Sequence, residues 1–266
     1  MTDTILKVDR VCQRRGDRLI LDNVNFTIVD RTREGRTTGQ VVGILGPSGV
    51  GKTTLLRIIA GLDAPESGAV IDLTGSRLTD DVGLVFQHYP LLIHRTIQDN
   101  LEVVGRMSGM SRREARDCAL YLLRQFRLEE CGHLYPADVS GGQRQRAAIA
   151  QQVVRPRRLL LLDEPFSGLD PAVLEDVIGA IVAVANQHDW NTVILVTHDV
   201  RAALLVSDTL LLLGRSSIPG AGRTTSASIQ GTYDLVKQGL AWHPELVGTP
   251  VFAEAERELR DRFRSL

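Results

Sequence analysis

Cysteine is scarce in this chain, with three in 266 residues. Cys12, Cys118 and Cys131 are odd in number, far apart and outside any C-x-x-C spacing. A small disulfide scaffold is therefore excluded, and the three read as reduced thiols filling small apolar spaces in a cytosolic protein. An excess of either charge is also missing. The 31 Lys and Arg stand against 32 Asp and Glu, for a net charge of -1, so no global basic field argues for nucleic acid. The arginine groups at Arg112 to Arg116 and Arg155 to Arg158 read as solvated or interface faces. Long apolar runs are absent too: no stretch approaches the roughly 18 uncharged apolar residues of a membrane span. Val177 to Ala185 is too short, and Leu204 to Leu213 contains Asp208. The opening Met1-Thr2-Asp3-Thr4 lacks a basic stretch followed by an apolar one, so no export signal is expected, and the chain is expected to be soluble by itself. A hydrophobic content of 43% over this length suffices for one large core or two modest ones.

What is present is a phosphate-binding loop. Gly46, Pro47, Ser48, Gly49, Val50, Gly51, Lys52 and Thr53 match G-x-x-x-x-G-K-[ST] without a gap. The apolar Val41 to Leu45 before them reads as a buried strand, and Thr54 to Ala60 after them begins a helix. Glycines let backbone N–H groups curl around phosphate oxygens, and the helix N-terminus adds partial positive charge. Lys52 supplies a point charge for β- and γ-phosphates, the Thr53 hydroxyl a ligand for bridging Mg²⁺, and Thr54 a second phosphate donor.

Strand-like runs alternate with helical patterns around this loop, which indicates an α/β fold with a mainly parallel sheet. The expected strands are Val41 to Leu45, Val82 to Phe86, Leu159 to Leu162, Thr192 to Val196 and Thr209 to Leu213. Leu6 to Val11, Arg18 to Leu21 and Val24 to Val29 are short and β-rich without helices between them, suggesting an appended antiparallel sheet. From Pro90 to Arg155 only helical patterns occur. Thr96 to Asp99 and Ser111 to Glu114 resemble helix-start signals, so this block is read as a helical insertion. Asp30 to Gly39 is a polar loop with no function assigned, and Ser216 to Ser228 is rich in Ser, Gly and Thr. Phe252, Ala255, Leu259 and Phe263 fall at the spacing of an amphipathic terminal helix.

Two further sites carry chemistry. Leu159 to Leu162 is an apolar strand ending in Asp163 and Glu164, the first placed to hold Mg²⁺ and the second to orient or deprotonate an attacking water. Val139-Ser140-Gly141-Gly142-Gln143 opens the last helix of the insertion. Ser140 is a potential N-cap, Gln143 occupies the capping-box position, and the glycines with the helix N-terminus suit a second phosphate site.

Together with Gln87 after one strand and His198 after another, these sites resemble the ATP-binding cassette of ABC transporters over residues from about 5 to 215. In that resemblance Walker A is Gly46 to Thr53, the Q-loop Gln87, the signature Ser140 to Gln143, Walker B Leu159 to Asp163, the D-loop Ser167 to Asp170 and the switch His198. It implies a P-loop NTPase (RecA-like) core with an appended antiparallel β subdomain and an inserted α-helical subdomain. The boundaries would be 1–87 and 156–230 for the core with its β subdomain, 88–155 for the helical signature subdomain and 231–266 for a C-terminal extension. It further implies ATP and Mg²⁺ as cofactors, with Thr53, Gln87 and Asp163 at the metal. Glu164 would be the general base, His198 the γ-phosphate contact and Gln87 the link to the insertion.

Two cassettes of this family meet head to tail, so the expected partners are a second cassette, separate transmembrane permease subunits docking beside Gln87 and Tyr89 to Leu92, and a solute-binding protein, but no nucleic acid. The expected location is the cytoplasmic face of the membrane. Arg15, before Gly16, stands where the family stacks adenine on an aromatic residue, and its guanidinium plane can stack on a base. Val139 stands where Leu is common.

The tail is short for the regulatory domain of many sugar importers. Gly231 to Val236, Gly239 to Pro244 and Ile218-Pro219-Gly220 resemble the nitrate, sulfonate and taurine importer group. Lipid-trafficking or export cassettes remain alternatives. A non-transport ABC ATPase would need a long coiled coil or a second cassette, and a nucleotide sensor would not need both Glu164 and His198.

Overall fold

The computed structural model describes residues 4–31, 39–72, 82–86, 91–155, 157–169, 171–186, 191–218, 222–241 and 247–266. Five apolar runs form parallel strands: β3 (Gln40–Leu45), β5 (Val82–Val85), β6 (Leu159–Asp163), β7 (Thr192–Thr197) and β8 (Thr209–Ile218). Four more strands, β1 (Thr4–Arg15), β2 (Arg18–Val29), β4 (Ser67–Asp72) and β9 (Gly222–Asp234), complete a nine-stranded sheet ordered β4-β1-β2-β9-β8-β3-β7-β6-β5. β3 lies centrally, in parallel register with β7 from Gln40↔Thr192 to Leu45↔Thr197 and with β8 from Val42↔Thr209 to Leu45↔Leu212.

The parallel strands read as continuous apolar runs because both faces are covered. On one face Ile44, Leu161, Ile194 and Val196 pack with α1 (Lys52–Ile59) and with the antiparallel strands. On the other, Leu160, Leu162, Val193 and Leu195 pack against α4 (Gly141–Val153) and α5 (Pro171–Ala185). α6 (Val200–Val206) and α7 (Pro250–Ser265) close a third cluster around Leu45, Leu210 and Leu212, into which α7 sends Phe252 and Leu259. Thr249 caps α7 and Pro250 takes its first position, where a missing N–H costs nothing.

The strands differ from expectation in extent more than in place. The strand expected to end at Leu213 runs on into the Ser/Gly/Thr-rich segment: β8 reaches Ile218, and β9 returns antiparallel from Gly222 to Asp234. The appended antiparallel strands join the parallel core within one sheet, β2 meeting β9 in parallel at Leu21↔Ala227. The three opening runs are two long strands. The first extends to Arg15, and the break expected between Leu21 and Val24 is a register shift at Asn23 (φ 48), whose N–H donates to Cys12 Sγ at 3.3 Å; a second shift lies at Arg10 (φ 50), within the first run.

The insertion is built on locally encoded helix starts. α2 (Ile97–Met107), α3 (Arg112–Gln125) and α4 each begin with a complete capping box, on Thr96 with Asp99, Ser111 with Glu114 and Ser140 with Gln143. Each cap contributes about 1 kcal/mol. Among the described residues no helix is long and apolar enough to cross a membrane.

Candidate functional site

At the carboxyl end of β3 the chain turns into a loop pressed between neighbouring strands, the position where open α/β sheets bind ligands. The Gly46 N–H donates to the Thr197 carbonyl at 3.1 Å, and a Cβ on Gly46 would run into the Leu213 carbonyl. Gly51 sits at φ 120 directly before α1, whose first turn has no side-chain cap. That helix end is a ready anion site.

Lys52 Nζ is buried beneath the loop, donating to the carbonyls of Gly46 at 2.8 Å and Pro47 at 3.1 Å and pairing with Glu164 Oε1 at 3.0 Å. Thr53 Oγ1 donates to Asp163 Oδ1 at 3.1 Å, joining the first turn of α1 to the tip of β6. Burial pushes the Asp163 carboxyl above its ordinary range, the Thr53 hydroxyl pulls it back, and the neighbouring Glu164 and Lys52 charges act in opposite directions.

Glu164 holds a left-handed backbone, φ 50, fixed by its N–H donating to the Val196 carbonyl at 2.9 Å. Such strain persists where surrounding structure over-determines it. The second oxygen of Glu164 lies 2.8 Å from His198 Nδ1. His198 is aimed by its neighbours: Asp199 caps α6 through the Ala202 N–H at 3.0 Å and donates its own N–H to Thr197 Oγ1 at 3.0 Å.

These groups open onto a cavity of about 430 Å³ lined by Arg15, Ile20, Ser48, Gly49, Gly51, Lys52, Thr53, Thr54, Glu164, Ser167 and His198. The structure thus brings Arg15 to the same space as the loop, Glu164 and His198. Ile20 and Ser167 also line it without having been singled out as binding residues. The signal for Ser167 lay in its place three residues after Glu164, whose carbonyl accepts the Ser167 N–H at 3.2 Å. Val50 is buried behind the loop.

Ser140, Gly141, Gly142 and Gln143 do not line the cavity. The Gln143 N–H donates to Ser140 Oγ at 3.2 Å, and the Ser140 N–H to Gln143 Oε1 at 2.9 Å. Gly141 faces open space, whereas a Cβ on Gly142 would overlap Val173. Gln87, Asp170, Tyr89 and Pro90 lie outside the described residues.

The family described as ABC transporter matches residues 21–167. A spermidine/putrescine import ATP-binding protein, PotA of Pseudomonas aeruginosa, is 38% identical over 225 residues, covering 82% of this chain and 59% of that protein. A sulfate/thiosulfate import ATP-binding protein, CysA of Gloeobacter violaceus, is 38% identical over 214 residues, covering 77% of this chain and 62% of that protein. The chain therefore spans about three fifths of the length of these relatives. A nitrate import ATP-binding protein, NrtD of Synechocystis, is 37% identical over 210 residues, covering 78% of this chain and 74% of that protein. Among solved structures, the dimeric post-hydrolysis state of the ATP-binding cassette MJ0796 bound to ADP and Pi superposes with a TM-score of 0.69 at 28% identity, covering 87% of this chain and 99% of that one. With a P-loop NTPase fold, a lysine-bearing phosphate loop facing a paired carboxylate and histidine, and these similarities along most of its length, the chain belongs to the ABC transporter family as an ATP-binding cassette.

Proposed function

We propose that this chain is the ATP-hydrolysing subunit of a membrane transporter, taking up a small solute such as nitrate, a sulfonate or taurine. The observation that carries the reading is the joint approach of Lys52, Glu164 and His198 on one cavity beside the N-terminus of α1. The β- and γ-phosphates of ATP lie against Gly46 to Thr54, where Lys52 exchanges its carbonyl and carboxylate partners for phosphate oxygens. Thr53 and Asp163, joined at 3.1 Å, offer the hydroxyl and carboxylate oxygens that suit Mg²⁺, with Gln87 as a third donor. Mg²⁺ bound there neutralises charge on the β- and γ-phosphate oxygens. Glu164 accepts the proton of the attacking water, and His198, hydrogen-bonded to it, contacts the γ-phosphate. Arg15 lays its guanidinium on the adenine.

The site is completed in trans in this reading. Ser140 to Gln143 stand away from their own cavity, so they close the ATP site of a second, head-to-tail cassette, with Asp170 at the interface. The dimeric state of the MJ0796 cassettes supports this arrangement. Residues 1–87 and 156–230 form the core with its β subdomain, 88–155 the signature subdomain and 231–266 the extension. Permease subunits dock beside Gln87 and Tyr89 to Leu92, where Leu92 and Ile93 expose apolar side chains, and hold the chain at the cytoplasmic face of the membrane. A solute-binding protein completes the complex. The similarity to NrtD, covered to 74% of its length, supports nitrate-type cargo, while 38% identity to PotA and CysA, against 37% to NrtD, makes polyamine or sulfate import the second reading.

Glu164→Gln keeps shape but removes the proton acceptor, so turnover falls by roughly 10² to 10⁴ while ATP binding persists. ATP should then accumulate a dimer on size-exclusion chromatography. A persistent monomer with normal hydrolysis overturns the reading. Uptake of nitrate, taurine, sulfate and putrescine by cells lacking the gene tests the cargo, and unchanged nitrate and taurine uptake sinks the preferred class.

A further inference from the structure

α4 starts at Ser140 to Gln143, and α5 starts just after Ser167 to Leu169. The first two turns of these helices touch at two places. One is Gly142 against the Val173 side chain, which leaves no room for a Cβ. The other is an ion pair, Arg146 Nη1 to Asp176 Oδ2, at 2.7 Å. Arg146 follows Gly142 by one turn and Asp176 follows Val173 by one turn, so each helix uses a single face for both contacts. The Arg146 side chain is only 8% exposed, and its Nε has no partner. The other Asp176 oxygen accepts from Arg127 Nη1 at 2.8 Å, from the turn after α3, where Arg127 itself has φ 52. One carboxylate therefore holds guanidinium groups from two elements of the insertion.

Packing between two helices does not need such a cluster, since apolar residues of similar volume serve as well or better. What a charge-assisted bond adds is direction: it fixes how far one helix slides along the other. α5 is led by the segment from Glu164 to Leu169, whose backbone is tied to β7 through the Glu164 N–H and within itself through the Ser167 N–H. α4 is led by the Ser140 cap. The ion pair thus joins the helix that opens at Ser140 to the helix that follows Glu164 and Ser167, residues that both line the nucleotide cavity.

We propose that Arg146 and Asp176, braced by Arg127, are positioning residues that tie the signature end of α4 to α5, so that the surface a cassette presents to its partner's ATP follows the state of its own site. The inference rests on the head-to-tail reading above. None of the three side chains lines the nucleotide cavity, so they act through Ser140 to Gln143 and not on ATP.

Two variants test it in the full chain: Asp176→Asn, which keeps shape and removes charge, and Arg146→Met, which keeps apolar contact. MgATP binding to the monomer is read by equilibrium dialysis, ATP-driven dimerisation by size-exclusion chromatography in the Glu164→Gln background, and kcat and KM with Glu164 intact. Both variants should bind MgATP as monomers within twofold of the parent. Half-maximal dimerisation should need about tenfold more protein, and kcat should fall about tenfold with KM little changed. Dimerisation and kcat within twofold of the parent overturn the proposal, as does a loss of monomer MgATP affinity in step with dimerisation. If Glu164→Gln alone forms no dimer with ATP, the head-to-tail reading fails and this inference fails with it. That outcome differs from a parent and variants that all dimerise.

Discussion

Alanine at Gly51 and at Gly49 separates two ways in which a glycine can be required. Gly51 has φ 120 and ψ 10, and a Cβ there would stand 2.9 Å from Ile20 Cγ2 and 2.9 Å from Leu21 Cδ2, both on β2. Leu21 is fully buried and cannot swing away. Gly49 has φ 73, with nothing within 4 Å of a Cβ. Alanine at Gly49 meets only the left-handed backbone cost of about 1 to 2 kcal/mol, reduced by about 0.4 to 1 kcal/mol through the less flexible unfolded chain. At Gly51 the backbone lies beyond the left-handed well, about 1 to 3 kcal/mol, and crowding against β2 adds about 1 to 3 kcal/mol more. The unfolded-chain gain is common to both, so Gly51→Ala should destabilise by about 1 to 4 kcal/mol more than Gly49→Ala. Urea unfolding of the nucleotide-free protein measures this without involving phosphate binding, provided the slopes agree. Equal midpoints would show that β2 yields and that the loop is not braced against it.

Arg15→Ala should weaken ATP binding by about 0.5 to 2 kcal/mol and Arg15→Tyr preserve or tighten it; identical titrations of wild type and Arg15→Ala with ATP and GTP remove the stacking role. The bidentate Arg31–Asp234 pair, with both contacts at 2.9 Å, holds the Asp234 carboxyl at about 2 against an ordinary 3.8. A depressed carboxyl stabilises the fold above the unfolded value and loses that contribution as pH falls from 3.8 to about 2, so Asp234→Asn should flatten the acid limb of the stability curve in that window. With solvent screening, the cost of Asp234→Asn at neutral pH is about 1 kcal/mol, measured by denaturant unfolding; an unaltered acid limb contradicts the pairing. Leu161→Ala, in the middle of β6 and 0% exposed, should cost about 3 to 5 kcal/mol, and a loss under 1 kcal/mol would deny it a place in the core.

The parallel strands were legible because burial on both faces leaves unbroken apolar runs, and the insertion because its helix starts are written in adjacent residues, as at Thr96 with Asp99. The β8–β9 hairpin was hidden by a different logic. Its strands gain their place by pairing with each other and with Leu21, about two hundred residues away, and Ser and Gly there spell a turn until that pairing is known. In the candidate site, Lys52, Thr53, Asp163, Glu164 and His198 could be named from motif context, but not the partners they choose. That Lys52 spans two carbonyls and Glu164 depends on how β3, β6 and β7 bring their ends together. Arg15 was noticed only as a departure from a pattern, and the hairpin geometry sets it on the cavity rim.

The central place of β3 has a consequence for synthesis on the ribosome. β3 is complete at Leu45, but both of its neighbours, β7 and β8, come only after Asn191, about 150 residues later. At translation rates of about 5 to 20 residues per second, the strand waits roughly 8 to 30 s with both edges unpaired. Val41, Val42, Ile44 and Leu45 are for that interval a short β-prone segment without a sheet, the kind that recruits other nascent chains. The insertion can coil into helices meanwhile, since its starts need nothing from afar. A pause in translation before β7 would lengthen this exposure, whereas the same pause after β8 would leave β3 already enclosed.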